Sequence, residues 1–403
     1  MVEDATCGSG AGAARPSMAG APYNAAVIRS PVAQIIRRYI GPPNRNFIRG
    51  KICLMNRRRF VQSLGIASLA TQLPAPRVSA SAAPATIKPK RLAPGDTVAL
   101  VSPASATFNT VDLQIAKESL DALGFKVRVG EHVLERHGNL AGEDMARAED
   151  INKAFADKAV AAVHAIRGGW GSARLLPYLD YDTIRRNPKV LIGYSDITAL
   201  HLAIHAKTGL ITFHGPIGLG RWDPYSLDYY KRVLFNAEQV TYSNKQGISA
   251  ERNSLTQVEF RTQAITHGKA RGRLLGGNLT VLTTILGSPY VPDWDDVILF
   301  CEDVQEDLYR VDRMMTQLKL AGVLGKIKGF VFGSCSECGP GNGNYGALTL
   351  EEIFKDHIKP LGIPAWQGAM IGHAQPQWTL PEGAQVEIDA DAATITLLEP
   401  PVA

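Results

Sequence analysis

From Arg91 onward, short apolar runs alternate with segments of helical spacing, and that order leaves few folds open to the chain. The spacing predicts strands at 97–101, 125–129, 159–165 and 190–193, and helices at 111–123, 144–156 and 197–207, the last of which Gly209 can terminate. Strand and helix repeated in this way build a parallel sheet with crossover helices. Past a polar, weakly patterned stretch at about 236–254 the order is less regular. Helices near 278–286 and at 308–320, strands at 297–301 and 329–332, and a final strand pair at 384–388 and 393–398 indicate a second, smaller mixed domain. The expected class is α/β, with a parallel-sheet domain over 88–240 and a smaller carboxyl-terminal domain over 255–403. A chain of 403 residues, 45% of them apolar, can bury a core for each.

The formal net charge of +5 raises the question of an acidic partner, and the position of the charge answers it. Residues 1–54 hold seven Lys/Arg against two acidic groups and residues 55–82 hold four against none, which leaves 32 basic and 36 acidic residues from 83 onward. The folded part is therefore mildly acidic, and nucleic-acid binding has no electrostatic support.

Met55-Asn-Arg-Arg-Arg-Phe-Val opens a basic head followed by a modestly apolar segment from Phe60 to Leu73 and small residues around Ser79–Ala82. With Arg57 and Arg58 as the pair and Phe60 at the apolar position behind them, 55–82 reads as a twin-arginine export signal and the protein as periplasmic. A short amphipathic helix is the plainer alternative. The apolar run is interrupted by Gln62, Ser63, Gly65 and Ser68 and is too short for a membrane anchor. Since export signals act at the amino terminus, Met55 is the expected start, and 1–54 is expected to be untranslated or disordered.

Five cysteines are too few for a disulfide framework, and Cys7 and Cys53 fall in the discounted segment. Cys335-Ser-Glu-Cys338 has redox or half-zinc spacing without a second cysteine or histidine pair, so it reads as an incidental loop pair, with a disulfide as the alternative.

Lys189-Val-Leu-Ile-Gly-Tyr-Ser195-Asp sets a serine at the turn from an apolar strand into a helix. That is the position of a nucleophile elbow, where the first free amides of the helix point at the same spot as the hydroxyl. The usual glycine-x-serine-x-glycine form is missing, and a simple serine N-cap would use the same position. At the end of the preceding strand, Arg167-Gly168-Gly169-Trp170-Gly171 lets backbone approach a ligand closely; it fits neither phosphate-loop spacing and is better read as a second oxyanion-hole strand.

A serine nucleophile needs a base, and nine histidines compete. His201 and His205 are four apart on one helix but have Leu202 where a zinc peptidase needs glutamate. His373 stands in a Gly- and Pro-flanked loop of the kind that carries catalytic groups. For the carboxylate that orients the imidazole, Glu302 at the end of the strand at 297–301 is the leading candidate, with Asp303 and Glu306 as close rivals. All three would also serve as acidic groups before the next helix.

From about Lys90 to the end, the chain resembles the LD-carboxypeptidases, or muramoyltetrapeptide carboxypeptidases. The pieces that carry the resemblance are Leu92-Ala-Pro-Gly-Asp96, Arg167-Gly-Gly-Trp-Gly171 with Arg174-Leu-Leu-Pro-Tyr-Leu-Asp180, Ile192-Gly-Tyr-Ser-Asp196, His214-Gly-Pro216, Gly276-Gly-Asn-Leu279, Glu302-Asp303 with Arg310-Val-Asp-Arg-Met314, and Gly372-His373 with Leu380-Pro381. The resemblance implies a Ser195, Glu302, His373 triad and an oxyanion hole from the Asp196 amide and one in the Gly168-Gly169 pair. It further implies a β-rich carboxyl-terminal domain, an active site between the domains, no metal or other cofactor, and a homodimer. The implied reaction is hydrolysis of the bond between the L-centre of meso-diaminopimelate and terminal D-alanine in murein tetrapeptides. Arg167 is the candidate partner for the terminal carboxylate, with a structural ion pair as the alternative, and Trp170 a candidate substrate contact. A related branch cleaves peptidyl-nucleotide antibiotics with the same triad. A two-domain periplasmic binding protein is the rival of another class, since it could use Ser195 and the glycine loop as mere ligand contacts; it would need neither Glu302 nor His373.

Overall fold

A computed structural model describes residues 84–244, 260–341 and 346–403, all within one unit, Ala80–Ala403. The expectations for 1–54 and for the export signal lie outside the described residues.

The first half runs β1 (Thr97–Val101), α1 (Thr110–Ala122), β2 (Lys126–Val129), α2 (Asp144–Ala156), β3 (Val160–Ala165), α3 (Tyr181–Arg186), β4 (Val190–Gly193), α4 (Thr198–Thr208), β5 (Thr212–His214) and α5 (Pro224–Leu234). The second runs β6 (Thr241–Ser243), β7 (Gln263–Thr266), β8 (Lys269–Asn278), α6 (Leu279–Ile285), β9 (Val297–Val304), α7 (Leu308–Leu320), β10 (Gly329–Ser336), α8 (Leu350–His357), β11 (Ala365–Gln367), β12 (Leu380–Glu382), β13 (Gln385–Asp389) and β14 (Thr394–Leu397). The class is α/β, as the alternation predicts.

One sheet has the order β12-β5-β4-β3-β1-β2, parallel throughout except for β12. The other has the order β6-β14-β13-β8-β9-β10-β11-β7, parallel at its centre from β8 to β11 and antiparallel at both flanks. The halves are interlocked at one edge: β12, from the second half of the chain, closes the first sheet. His373 lies on the link from β11 in one sheet to β12 in the other, so that link carries it across the space between them.

Helix α4 is the common filling. Nine of its residues, from Thr198 to Thr208, are buried, and its side chains share a core with strands of both sheets. A helix apolar on all sides is what such a position requires. Gly209 ends it at φ +78, where its N–H bonds the His205 carbonyl. Two strands run longer than their apolar cores suggest. β9 continues to Val304, so Glu302 lies inside the strand instead of after it, and β10 continues to Ser336. Cys335, near the end of β10, is joined to Cys338 as a disulfide, so the incidental-pair expectation gives way to its alternative; Cys301 is buried and free.

Candidate active site

Strand β4 is buried along its whole length, and the chain turns sharply as it leaves. Ser195 takes φ +65, in the left-handed region where a side chain is strained, and Asp196 follows as the second residue of a helical turn. The Asp196 N–H is thus one of the amides that a helix start leaves unsatisfied. Its side chain points elsewhere: Oδ2 accepts from the Ser172 amide at 2.7 Å, which ties the glycine loop to the elbow. Burial raises the Asp196 pKa, against the pull of those Ser172 hydrogen bonds. Beneath the elbow, His201 Nε2 donates to the Gly193 carbonyl at 2.9 Å.

The serine joins a hydrogen-bonded chain of three. His373 Nε2 is 3.0 Å from Ser195 Oγ, and His373 Nδ1 is 2.8 Å from Glu302 Oε2. With Nδ1 donating to the carboxylate, Nε2 is left to accept the serine proton. Glu302 is fully buried. Burial works against a charged His373, but the hydrogen bond and negative charge of Glu302, with Asp303 behind it, raise its pKa above the usual imidazole value. Gly372 at φ +95 is required here, since a Cβ would overlap the Glu302 carboxyl group.

The two rival carboxylates are placed differently. Asp303 faces away from His373 and accepts from Asn278 Nδ2 at 3.0 Å, from the Thr280 amide at 3.0 Å and from Thr280 Oγ1 at 2.9 Å. Burial and the neighbouring Glu302 push its pKa up to about 6. Glu306 lies beyond the strand, 3.1 Å from Thr280 Oγ1, and competes with Asp303 for that one hydroxyl proton.

Gly168 packs onto the nucleophile, since a Cβ there would stand 2.9 Å from Ser195 Cβ and 3.1 Å from Oγ. Gly169, at φ +112, lies against Ser105, whose hydroxyl accepts from the Trp170 amide at 3.2 Å. Three cavities each touch Ser195, His373 or both. One of about 430 Å³ is lined by Arg167, Gly168, Gly169, Ser195 and His373. A second of about 380 Å³ adjoins Ser195 and Asp196 but not His373, and Trp170, Arg174, Asp303 and Glu306 line it. A third of about 560 Å³ passes His373 towards Arg221, Ser336 and Glu337. Arg167 donates to the Ala106 carbonyl at 3.2 Å, and among the described residues it has no carboxylate partner, which leaves its ion-pair alternative without a counterpart. His201 and His205 are buried and bonded to the Gly193 and Leu210 carbonyls, and burial lowers both pKa values to about 4.

The sequence reading missed Tyr194 and Asn278. The Tyr194 ring meets His373 edge-on with centroids 5.1 Å apart, and burial, then Glu302, pushes its pKa up to about 12. Asn278 bridges Glu302 and Asp303 through Nδ2 and caps α6. Its place before a helical run was the available signal.

The LD-carboxypeptidase N-terminal domain model matches residues 98–215 and the C-terminal domain model matches 271–388. A probable murein peptide carboxypeptidase of Bacillus subtilis is 38% identical over 315 residues, covering 77% of this chain and 94% of that protein. The murein tetrapeptide carboxypeptidase of Pseudomonas aeruginosa is 32% identical over 300 residues, covering 73% and 93%. A solved structure of the microcin C7 self-immunity protein MccF, known from Escherichia coli, superposes with a TM-score of 0.70 at 29% identity, covering 79% of this chain and 100% of that one. By both domain matches and by the extent of these likenesses, the chain is a member of the LD-carboxypeptidase family, a family of peptidases.

Proposed function

We propose that the protein is a serine-type carboxypeptidase that removes terminal D-alanine from murein tetrapeptides by cleaving its bond to the L-centre of meso-diaminopimelate. The observation that carries this reading is the unbroken chain from Glu302 through His373 to Ser195, ending at the wall of an open cavity. His373 Nε2 takes the Ser195 proton as Oγ attacks the peptide carbonyl, and Glu302 stabilises the imidazolium that forms. The Asp196 amide and one in the Gly168-Gly169 pair receive the developing oxyanion. His373 then returns the proton to the leaving amine, D-alanine departs, and water, activated by the same imidazole, clears the acyl-serine. We assign Arg167 as the partner of the departing carboxylate, and its lining of the cavity that touches both Ser195 and His373 supports this.

The test is mass spectrometry of residues 83–403 with murein tetrapeptide, beside Ser195→Ala. Release of D-alanine by the wild type alone supports the reaction and the nucleophile together; no release from a folded wild type rejects the substrate. Cleavage of an aminoacyl-nucleotide amide is the second reading, and what favours it is the TM-score of 0.70 to MccF, a protein also solved in complex with aspartyl sulfamoyl adenosine. The same assay with such an amide separates the two. The export reading of 55–82 puts the substrate in the periplasm, which fractionation of the native host checks.

A further inference from the structure

We propose that Glu306 and Arg174 select the acyl-side residue of the substrate, by binding a side chain that ends in both an ammonium and a carboxylate. This rests on the carboxypeptidase reading above.

Geometry first decides which cavity takes which half of the substrate. His373 must reach the leaving amine to protonate it, so the leaving group lies on the side where Ser195 and His373 are both exposed. The cavity of about 380 Å³ touches Ser195 and Asp196 without touching His373. Of the two cavities that touch Ser195 it is therefore the one left for the side chain of the residue whose carbonyl is attacked, the third cavity having no contact with Ser195.

The charges on its walls then describe what that side chain must be. Among the described residues the Glu306 carboxylate has one close hydrogen-bond partner, Thr280 Oγ1, whose single proton Asp303 also attracts; its other oxygen has a loose approach from Arg310 at 3.8 Å, and Arg310 is drawn equally to Asp307 at 3.7 Å. Asp303 lies beside it, so this wall is acidic. Arg174 comes from the helical turn that follows the glycine loop, and it shares Asp144 with Arg147: Arg174 Nη2 is 2.9 Å and Arg147 Nη2 is 2.6 Å from that carboxylate. Asp144 occupies Nε and Nη2 of Arg174, and Nη1 keeps donors that Asp144 does not use. Trp170, 51% exposed on the same cavity, offers a flat apolar face for a methylene stem. A lysine side chain would answer Glu306 and leave Arg174 unmatched, whereas a side chain ending in an amino-acid centre answers both.

The test compares tetrapeptides bearing meso-diaminopimelate, its side-chain carboxamide, or lysine at the third position, reading kcat/KM for D-alanine release. The wild type is expected to prefer the diaminopimelate peptide by about tenfold or more, the range of one charge-assisted contact. Arg174→Ala is expected to bring the kcat/KM ratio of that peptide to the other two down to about one, while Glu306→Gln lowers all three. A ratio of two substrates on one preparation cancels any change in folded fraction. An Arg174→Ala ratio equal to that of the wild type overturns the proposal. Binding of the same three peptides to Ser195→Ala reads the cavity without turnover: a preference there, with a folded wild type that releases no D-alanine, rejects the reaction but keeps this selection, and equal binding overturns it.

Discussion

The backbone amide of Asn278 donates to the hydroxyl of Thr198 across 2.9 Å, and this bond joins the end of β8 in one sheet to the start of the helix that follows the serine elbow in the other. It is fully buried. Asn278 also reaches Glu302 and Asp303, so the contact fixes the spacing of the carboxylate relative to the nucleophile.

Thr198→Val keeps the shape and removes the acceptor. The stranded amide should cost about 1–3 kcal/mol in denaturant unfolding. Because the register of Glu302 against Ser195 loosens, kcat should fall by about tenfold with KM little changed. An unchanged kcat in a destabilised variant would show that the bond serves folding only.

His373 must be neutral to act as a base, and Glu302 favours its charged form. As pH falls through the His373 pKa, activity is lost, so the acid limb of the kcat/KM profile should have its midpoint above the ordinary imidazole value of 6.5. Glu302→Gln removes the charge but leaves the burial, so the midpoint should move to lower pH while the rate drops on the order of a thousandfold. A midpoint that does not move would separate Glu302 from the titrating group.

Ser195 holds its backbone at φ +65, a conformation that penalises any Cβ. Ser195→Ala and Ser195→Gly both lose the hydroxyl and should both be inactive, but only glycine relieves the strain. The glycine variant should be the more stable of the two by about 1 kcal/mol in chemical denaturation. Equal stabilities would mean that the elbow is relaxed.

Much of the fold was legible because periodicity is local. β1, α2, β4 and α7 match their expected limits, since β1 and β4 are short continuous apolar runs and α2 and α7 repeat their apolar residues at helical spacing. β8 was not legible. Lys-Ala-Arg-Gly-Arg-Leu-Leu-Gly-Gly-Asn has too much charge and glycine to read as a strand, and it becomes one because β9 and β13 supply hydrogen bonds on both sides. α5 carried a signal that went unread: Asp223 before Pro224, which the structure uses as cap and first turn.

The sequence by itself determined the alternation that makes the sheets, the serine at a strand-to-helix turn, the glycine loop beside it and the family motifs. Local pattern left three neighbouring carboxylates as rivals and the family motifs pointed to Glu302; only the tertiary structure shows the physical reason. Side chains alternate across a strand, and because β9 runs through to Val304, Glu302 is turned to His373 while Asp303 is turned to Thr280 and Glu306 falls beyond the ladder. That choice also needed His373 to arrive on a link between two sheets, some 70 residues later in the chain, a distance over which no local pattern carries information.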